Sequence, residues 1–190
     1  MEKVVRIGFL AASLGVCTLL RAAEGEITLK EPVLITSAGQ SADVSMAELL
    51  CKKAGVKATV LPMAGVSDLK EIKTLVIVAG FSSKGLGAAG VSREEEMERV
   101  KEIIRAAEKN GLPILMMHIG GTARRGGQSD DFNKAAAEAA DCMIVVKKGD
   151  EDGLFTAIAS ERNVPLYLVE KMSAAVAPLQ QLFPTTEKKK

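Results

Sequence analysis

The sequence predicts an α/β fold: a three-layer αβα sandwich around a parallel sheet of five to six strands. Three observations lead there. Short apolar runs alternate with helix-like segments along nearly the whole chain. The run Thr74–Ala79 is continuously apolar after its threonine, as expected of a strand buried on both faces. Pro62 falls within another strand-like run, which assigns that run to a sheet edge. A central Thr74 strand and an edge Pro62 strand favour the flavodoxin-like order 2-1-3-4-5, with a sixth strand at the far edge. The Rossmann-like order 3-2-1 ranks second, because it would put the most apolar strand at an edge.

Each element has its own signal. Pro32–Ser37 reads as the first strand, and Ser37–Ser41 as the loop after it. A helix follows over Ala42–Ala54, stopped by Gly55. Lys57–Met63 is the second strand, Ser67–Ile72 a short helical turn and Thr74–Ala79 the third strand. Gly80–Ser92 reads as a long Gly-rich loop. Ser92 and Glu95 form a capping box for a helix whose Met97, Val100, Ile103, Ile104 and Ala107 share one face. Asn110-Gly111 ends that helix, and Ile114–Ile119 is the fourth strand. Gly120–Ser129 reads as a second Gly-rich loop, and Asp130–Ala140 as a helix capped by Ser129. Met143–Val146, a charged turn over Lys147–Asp152, a helix over Gly153–Arg162 and the strand Leu166–Val169 complete the sheet. A short helix over Ala174–Phe183 closes the domain.

The ends read differently. Lys3 and Arg6 precede an uncharged, mostly apolar run, Ile7–Leu20, which is followed by Arg21, Ala22 and Ala23. That is the pattern of a secretory signal peptide, and the run is short for a bilayer span. The expected organisation is a signal over 1–23, one α/β domain over 24–184 and a disordered tail over 185–190. The expected location is exported, either periplasmic or extracellular, with no membrane span once the signal is removed. Cys17 follows Val16 rather than a small residue, so lipidation is not expected. Removing 1–23 takes Lys3, Arg6, Arg21 and Glu2, and the net charge moves from +1 to −1.

That balance argues against nucleic acid as a partner, since such domains carry a basic surplus. No Trp and a single Tyr leave little for stacking on bases or sugars. A single His and the absence of a Cys-x-x-Cys pair argue against a metal site, and no cofactor is expected. Cys51 falls on the apolar face of its helix and Cys142 opens a strand, which suits buried free thiols; a single disulfide, possible in an exported protein, is the alternative, and spacing does not decide it. Oligomeric state leaves no mark in the sequence.

In such sheets ligands bind beyond the carboxyl ends of the strands, at the switch point between strands one and three. The loops rich in Gly, Ser and Thr fall there. Ser37, Gly39, Gln40 and Ser41 precede a helix N-terminus whose free N–H groups suit an anion, or Ser41 simply caps that helix. Ser82, Ser83, Lys84 and Gly85 could form an anion nest. The text Gly85–Gly90 matches a dinucleotide fingerprint, but it starts too far from its strand, and no acidic residue ends the next one. His118, Gly120, Gly121, Arg124 and Arg125 follow the fourth strand. The guanidinium groups suit carboxylate or phosphate, or else bridge to Asp130 or Asp131.

Three motifs together carry a resemblance: Ile35–Ser41, Ser82–Gly90, and His118–Gly126 with its His-Ile-Gly-Gly and Ala-Arg-Arg-Gly blocks. They resemble an uncharacterised family of exported bacterial proteins known as a domain of unknown function. The resemblance implies export and supplies no activity.

The expected function is binding of a small anionic ligand at the carboxyl end of the sheet, without catalysis. One alternative is a serine-esterase-type hydrolase with Ser41 as nucleophile and His118 as base, which requires the two side chains to meet. Another is an accessory protein of an envelope or transport complex.

Overall fold

The computed structural model describes residues 27–184. The expected signal (1–23) and tail (185–190) lie outside the described residues. Six parallel strands form one sheet in the order β2-β1-β3-β4-β5-β6. They are β1 (Val33–Ala38), β2 (Ala58–Val60), β3 (Thr74–Ala79), β4 (Ile114–His118), β5 (Cys142–Val146) and β6 (Leu166–Val169). This is the flavodoxin-like order, with the most apolar strand, β3, near the centre.

Alternation along the strands builds two cores. Val33, Ile35, Val76, Val78, Leu115 and Met117 face α1 (Asp43–Ala54) and α6 (Val176–Leu182). Leu34, Leu75, Ile77, Ile114, Met116 and Met143 face α3 (Arg93–Lys109), α4 (Gly127–Ala137) and α5 (Leu154–Arg162). Successive side chains of a strand point to opposite faces, so a continuously apolar strand serves both layers at once. β1, β3, β4 and β5 are buried along their whole length, whereas β2 is only partly covered, as an edge strand.

Several boundaries differ from the sequence reading. β2 is three residues long, so Pro62 lies just beyond it, although the edge placement holds. The loop expected over Gly80–Ser92 contains a helix, α2 (Ser83–Ala89). Ser82 caps it by accepting the Gly85 N–H at 3.1 Å, and Gly90 ends it in the left-handed region. The expected loop Gly120–Ser129 contains a 3₁₀ turn over Gly121–Arg124, and α4 begins at Gly127. Ser129 therefore sits inside the first turn rather than capping it, and its hydroxyl accepts the Phe81 N–H at 3.3 Å. The Ser92–Glu95 capping box forms as read, with bonds of 2.7 and 3.1 Å. The Ser92 backbone N–H, and after it the Ser92 side chain, hold the Glu95 carboxyl below its usual range.

Candidate functional site

The switch point between β1 and β3 is closed by its own loops. Gln40 and Phe81 pair as an antiparallel bridge, and the Ser82 N–H donates to Gly39 O at 2.8 Å. Gly39 has φ +98, and a Cβ there would collide with Gly80 O and Phe81 Cα. Gly85 lies so tight on Gln40 that an added Cβ would overlap the Gln40 carbonyl oxygen. Gln40 itself adopts φ +56, unusual for a residue with a side chain. The crevice expected between strands one and three is thus filled by backbone.

An ion pair on α3, its acid fully buried and its base partly so, holds this closure from below. Glu96 is fully buried and lies 2.8 Å from Arg99. Its Oε1 accepts the Gly39 N–H at 2.9 Å and the Gln40 side-chain amide at 3.0 Å. The Gln40 amide also donates to Pro62 O at 3.1 Å. Arg99 donates to Ala64 O at 2.8 Å and to Ser37 O. One helix thereby ties the exit of β1 to the segment after β2. Glu96 stands among three acids in the first turn of α3, where the helix dipole alone would account for it. Its spacing of four and seven residues from Val100 and Ile103 puts it on the buried face, a signal that could have found it.

An open cleft lies beside the closed switch point. It holds about 750 Å³, between the β1 exit, the segment after β2, and α2. Gln40, Ser41, Ser82, Lys84 and Gly85 line it, with Leu61, Pro62, Met63, Ala88 and Ala89 as apolar wall and Asp68 at one side. Leu61 and Met63 are about two-fifths exposed (39% and 41%), which leaves their side chains uncovered by protein. Ser41 is buried, and its hydroxyl accepts the Asp43 N–H at 3.3 Å in a turn leading into α1, whose N-cap is Ala42 rather than Ser41. Of the other residues read as candidates here, Ser37 is buried within β1 with no partner for its hydroxyl, and Ser83 does not line the cleft.

The second candidate group is not part of this cleft. Arg124 spans from the β4 turn to α1, 3.3 Å from Asp43, and donates to Phe81 O at 3.2 Å. Its stem packs so closely on Gly120 that a Cβ there would overlap Arg124 Cγ. Arg125 pairs with Asp130 at 2.8 Å and Asp152 at 2.6 Å, donates to Gly149 O, and lies over the Phe155 ring. Asp152 hydrogen bonds raise the Arg125 guanidinium further above its ordinary value, and the same bonds hold Asp152 at about 2. Burial works against the Asp130 carboxylate, yet Arg125 and Asn133 together keep it below its usual range. This loop is therefore pinned, and its arginines already have carboxylate partners.

His118 is fully buried at the end of β4. Its ring lies 4.9 Å from Phe155, and Nε2 is 3.2 Å from Gly121 O, so Nε2 carries the proton. Gly121 has φ +57, which lets its carbonyl turn back toward the ring. Burial pushes the His118 pKa down, and the nearby Arg125 charge adds to this. Cys51 and Cys142 are buried free thiols, pushed by burial to about 11 and about 12. Among the described residues no group of three His, Cys, Asp or Glu side chains could hold a metal ion, and no helix is long and apolar enough to cross a membrane.

A family model described as a domain of unknown function matches residues 30–183. The chain belongs to the DUF6305 family. The resemblance carried by the three motifs is thereby borne out as to family. No curated protein matches this DUF6305 chain. Among solved structures it is similar to a putative acylhydrolase from Bacteroides fragilis, with 10% identity, 86% of this chain and 92% of that one covered, and a TM-score of 0.35. A GDSL-like lipase from Bacteroides thetaiotaomicron gives 10% identity and a TM-score of 0.34 over 70% of this chain and 65% of that one, so the alignment spans just under two thirds of the lipase. The SGNH-hydrolase family esterase AlinE4 gives 15% identity, 79% and 82% coverage and a TM-score of 0.30. Likeness at this level carries no activity over to the DUF6305 chain.

Proposed function

We propose that this DUF6305 chain is an exported, non-catalytic binding domain that takes a small organic anion in the cleft between the β1 exit, the segment after β2, and α2. One observation carries the reading: five residues singled out from sequence, Gln40, Ser41, Ser82, Lys84 and Gly85, converge on one open cleft of ligand size. Export rests on the basic start, the apolar run Ile7–Leu20 and the small residues after it.

The absence of catalysis is supported by where the two hydrolase candidates sit. Ser41 leads into α1, which packs on one face of the sheet. His118 shares the alternation of Ile114 and Met116 and lies against Phe155, on the other face. Its proton-bearing nitrogen is engaged with Gly121 O, beneath Gly149. A general base must reach its nucleophile within hydrogen-bond distance, and this histidine is aimed elsewhere.

Titration of the purified chain with organic and inorganic anions, followed by heat release and thermal shift, tests the reading. Saturable one-to-one binding of at least one anion is expected, together with ester hydrolysis no faster than in Ser41→Ala. No binding across the panel, or turnover abolished by Ser41→Ala, overturns it. N-terminal sequencing of chain recovered from an export-competent host should start at Ala23 or Glu24; an intact Met1 overturns the cleaved signal in favour of an uncleaved N-terminal anchor.

A further inference from the structure

We infer that the cleft selects an amphiphilic monoanion, an alkyl or aryl carboxylate, over phosphate or any polyanion; this rests on the cleft being the binding site. The first argument is the charge count. The chain's arginines near the carboxyl end are already engaged by acids: Arg99 by Glu96, Arg124 by Asp43, and Arg125 by Asp130 and Asp152. Lys84 is the only cation among the described residues that line the cleft, and it has no partner there. Asp68, whose Oδ2 accepts the Gly65 N–H at 2.8 Å, faces the same cleft with the opposite charge. With Asp68 cancelling its charge, the lining carries no net positive charge: Lys84 can pair with one carboxylate group, and every further negative charge of a ligand meets no cation and faces Asp68.

The second argument is where the backbone donors go. A phosphate site converges several free N–H groups, or a guanidinium fork, on one point. Here the Gly39 N–H is taken by Glu96, the Ser82 N–H by Gly39 O and the Gly85 N–H by Ser82 Oγ. Of the nest expected from Ser82–Gly85, the first N–H is thus engaged in closing the switch point and the last in capping α2. The Ser82 hydroxyl accepts from Gly85 and keeps its own proton to donate. Lys84 and that hydroxyl suit a carboxylate head.

The third argument is the wall. Leu61, Pro62, Met63, Ala88 and Ala89 present apolar surface that no protein element covers, and Met adapts its shape to varied partners. An apolar body seated there removes this surface from water, and each added methylene in contact strengthens binding by about two- to fourfold.

Calorimetric titration of the purified chain with acetate, hexanoate, octanoate, decanoate, decyltrimethylammonium, phosphate and citrate tests the inference. Affinity should climb from hexanoate to decanoate by about two- to fourfold per methylene, while acetate, phosphate and citrate stay silent. Lys84→Met keeps the apolar stem and removes the charge, and should weaken decanoate about tenfold. Ala88→Trp, at an exposed helix position, should abolish decanoate binding with the fold intact by circular dichroism. Binding of phosphate or citrate without decanoate overturns the monoanion and leaves the cleft reading standing. Decyltrimethylammonium binding as well as decanoate, or decanoate unchanged in Lys84→Met, overturns the charge argument. Decanoate binding unchanged in Ala88→Trp places the ligand elsewhere and overturns both readings. Silence from every ligand does the same.

Discussion

The two Gly-rich regions at the carboxyl end of the sheet look alike as text and behave oppositely in the fold. Around Gly80–Gly90 the loop becomes a helix, closes on Gln40, and leaves a cleft with an uncommitted lysine at its side. Around Gly120–Gly126 the chain becomes a 3₁₀ turn whose two arginines are taken by Asp43, Asp130 and Asp152, above a histidine sealed from water. The difference lies in acids contributed from elsewhere. Asp43 is 81 residues from Arg124 and Asp152 is 27 from Arg125. A loop's own composition marks it as exposed and mobile in principle; the partners that distant segments bring decide whether it stays open.

The harshest way to break the contrast is to remove what closes the first region. Glu96→Ala would leave the partly buried Arg99 without its partner, strip the Gly39 N–H of its acceptor and free Gln40 from its left-handed conformation. Breaking a buried ion pair from one side costs about 3–5 kcal/mol. A urea denaturation curve should show a loss of that size, with the cleft's binding lost even where the chain remains folded. A loss under 1 kcal/mol would mean that the switch point is not held from below.

Glycine substitutions sharpen the contrast next. Gly149→Ala would drive a methyl into the His118 ring, and Gly85→Ala into the Gln40 carbonyl. Overpacking of this kind costs about 1–3 kcal/mol. In the same short helix, a Cβ at Gly87 meets nothing within 4 Å, and its backbone is helical. Gly87→Ala should therefore stabilise the protein by about 0.5–1 kcal/mol, since glycine is a poor helix former. Thermal or urea midpoints of the three variants, compared with the parent chain, should fall for the first two and rise for the third. Equal effects at Gly85 and Gly87 would show that α2 does not press on Gln40.

The sheet was legible because its signals are local. Thr74–Ala79 is a strand by content alone, Ser92 and Glu95 announce their helix, and Pro62 and the apolar run together fix the strand order. α2 was not legible, since Gly85, Gly87 and Gly90 lower its helix propensity; Ser82, the buried Leu86 and the contact with Gln40 hold it in place. Within the candidate site, the residues beside β1 and β3 were found from motif and position. Glu96, Arg99 and the apolar wall at Leu61 and Met63 were missed. The spacing within α3 marks Glu96 as buried, but what it, Arg99 and the wall residues do there depends on three segments meeting in space.

The gentlest probe of the contrast is pH, because the only histidine lies in the closed region and the cleft has none. Burial holds the folded His118 below its ordinary 6.5, so the unfolded chain takes up a proton that the native chain refuses. Stability rises with pH wherever the unfolded state binds more protons. The urea midpoint should therefore be level above the ordinary histidine value and decline as pH falls through 6.5 toward the lowered folded value. A second decline belongs to the pinned acids: Asp152, held at about 2 by Arg125, gives up its contribution between its ordinary 3.8 and that value. His118→Gln should erase the first decline and leave the second, whereas Arg125→Met should flatten the second. A midpoint that stays level from pH 7 to about 5 in the parent chain would place a solvated histidine where the structure has a sealed one, and would reopen His118 as a group able to exchange protons with a bound molecule.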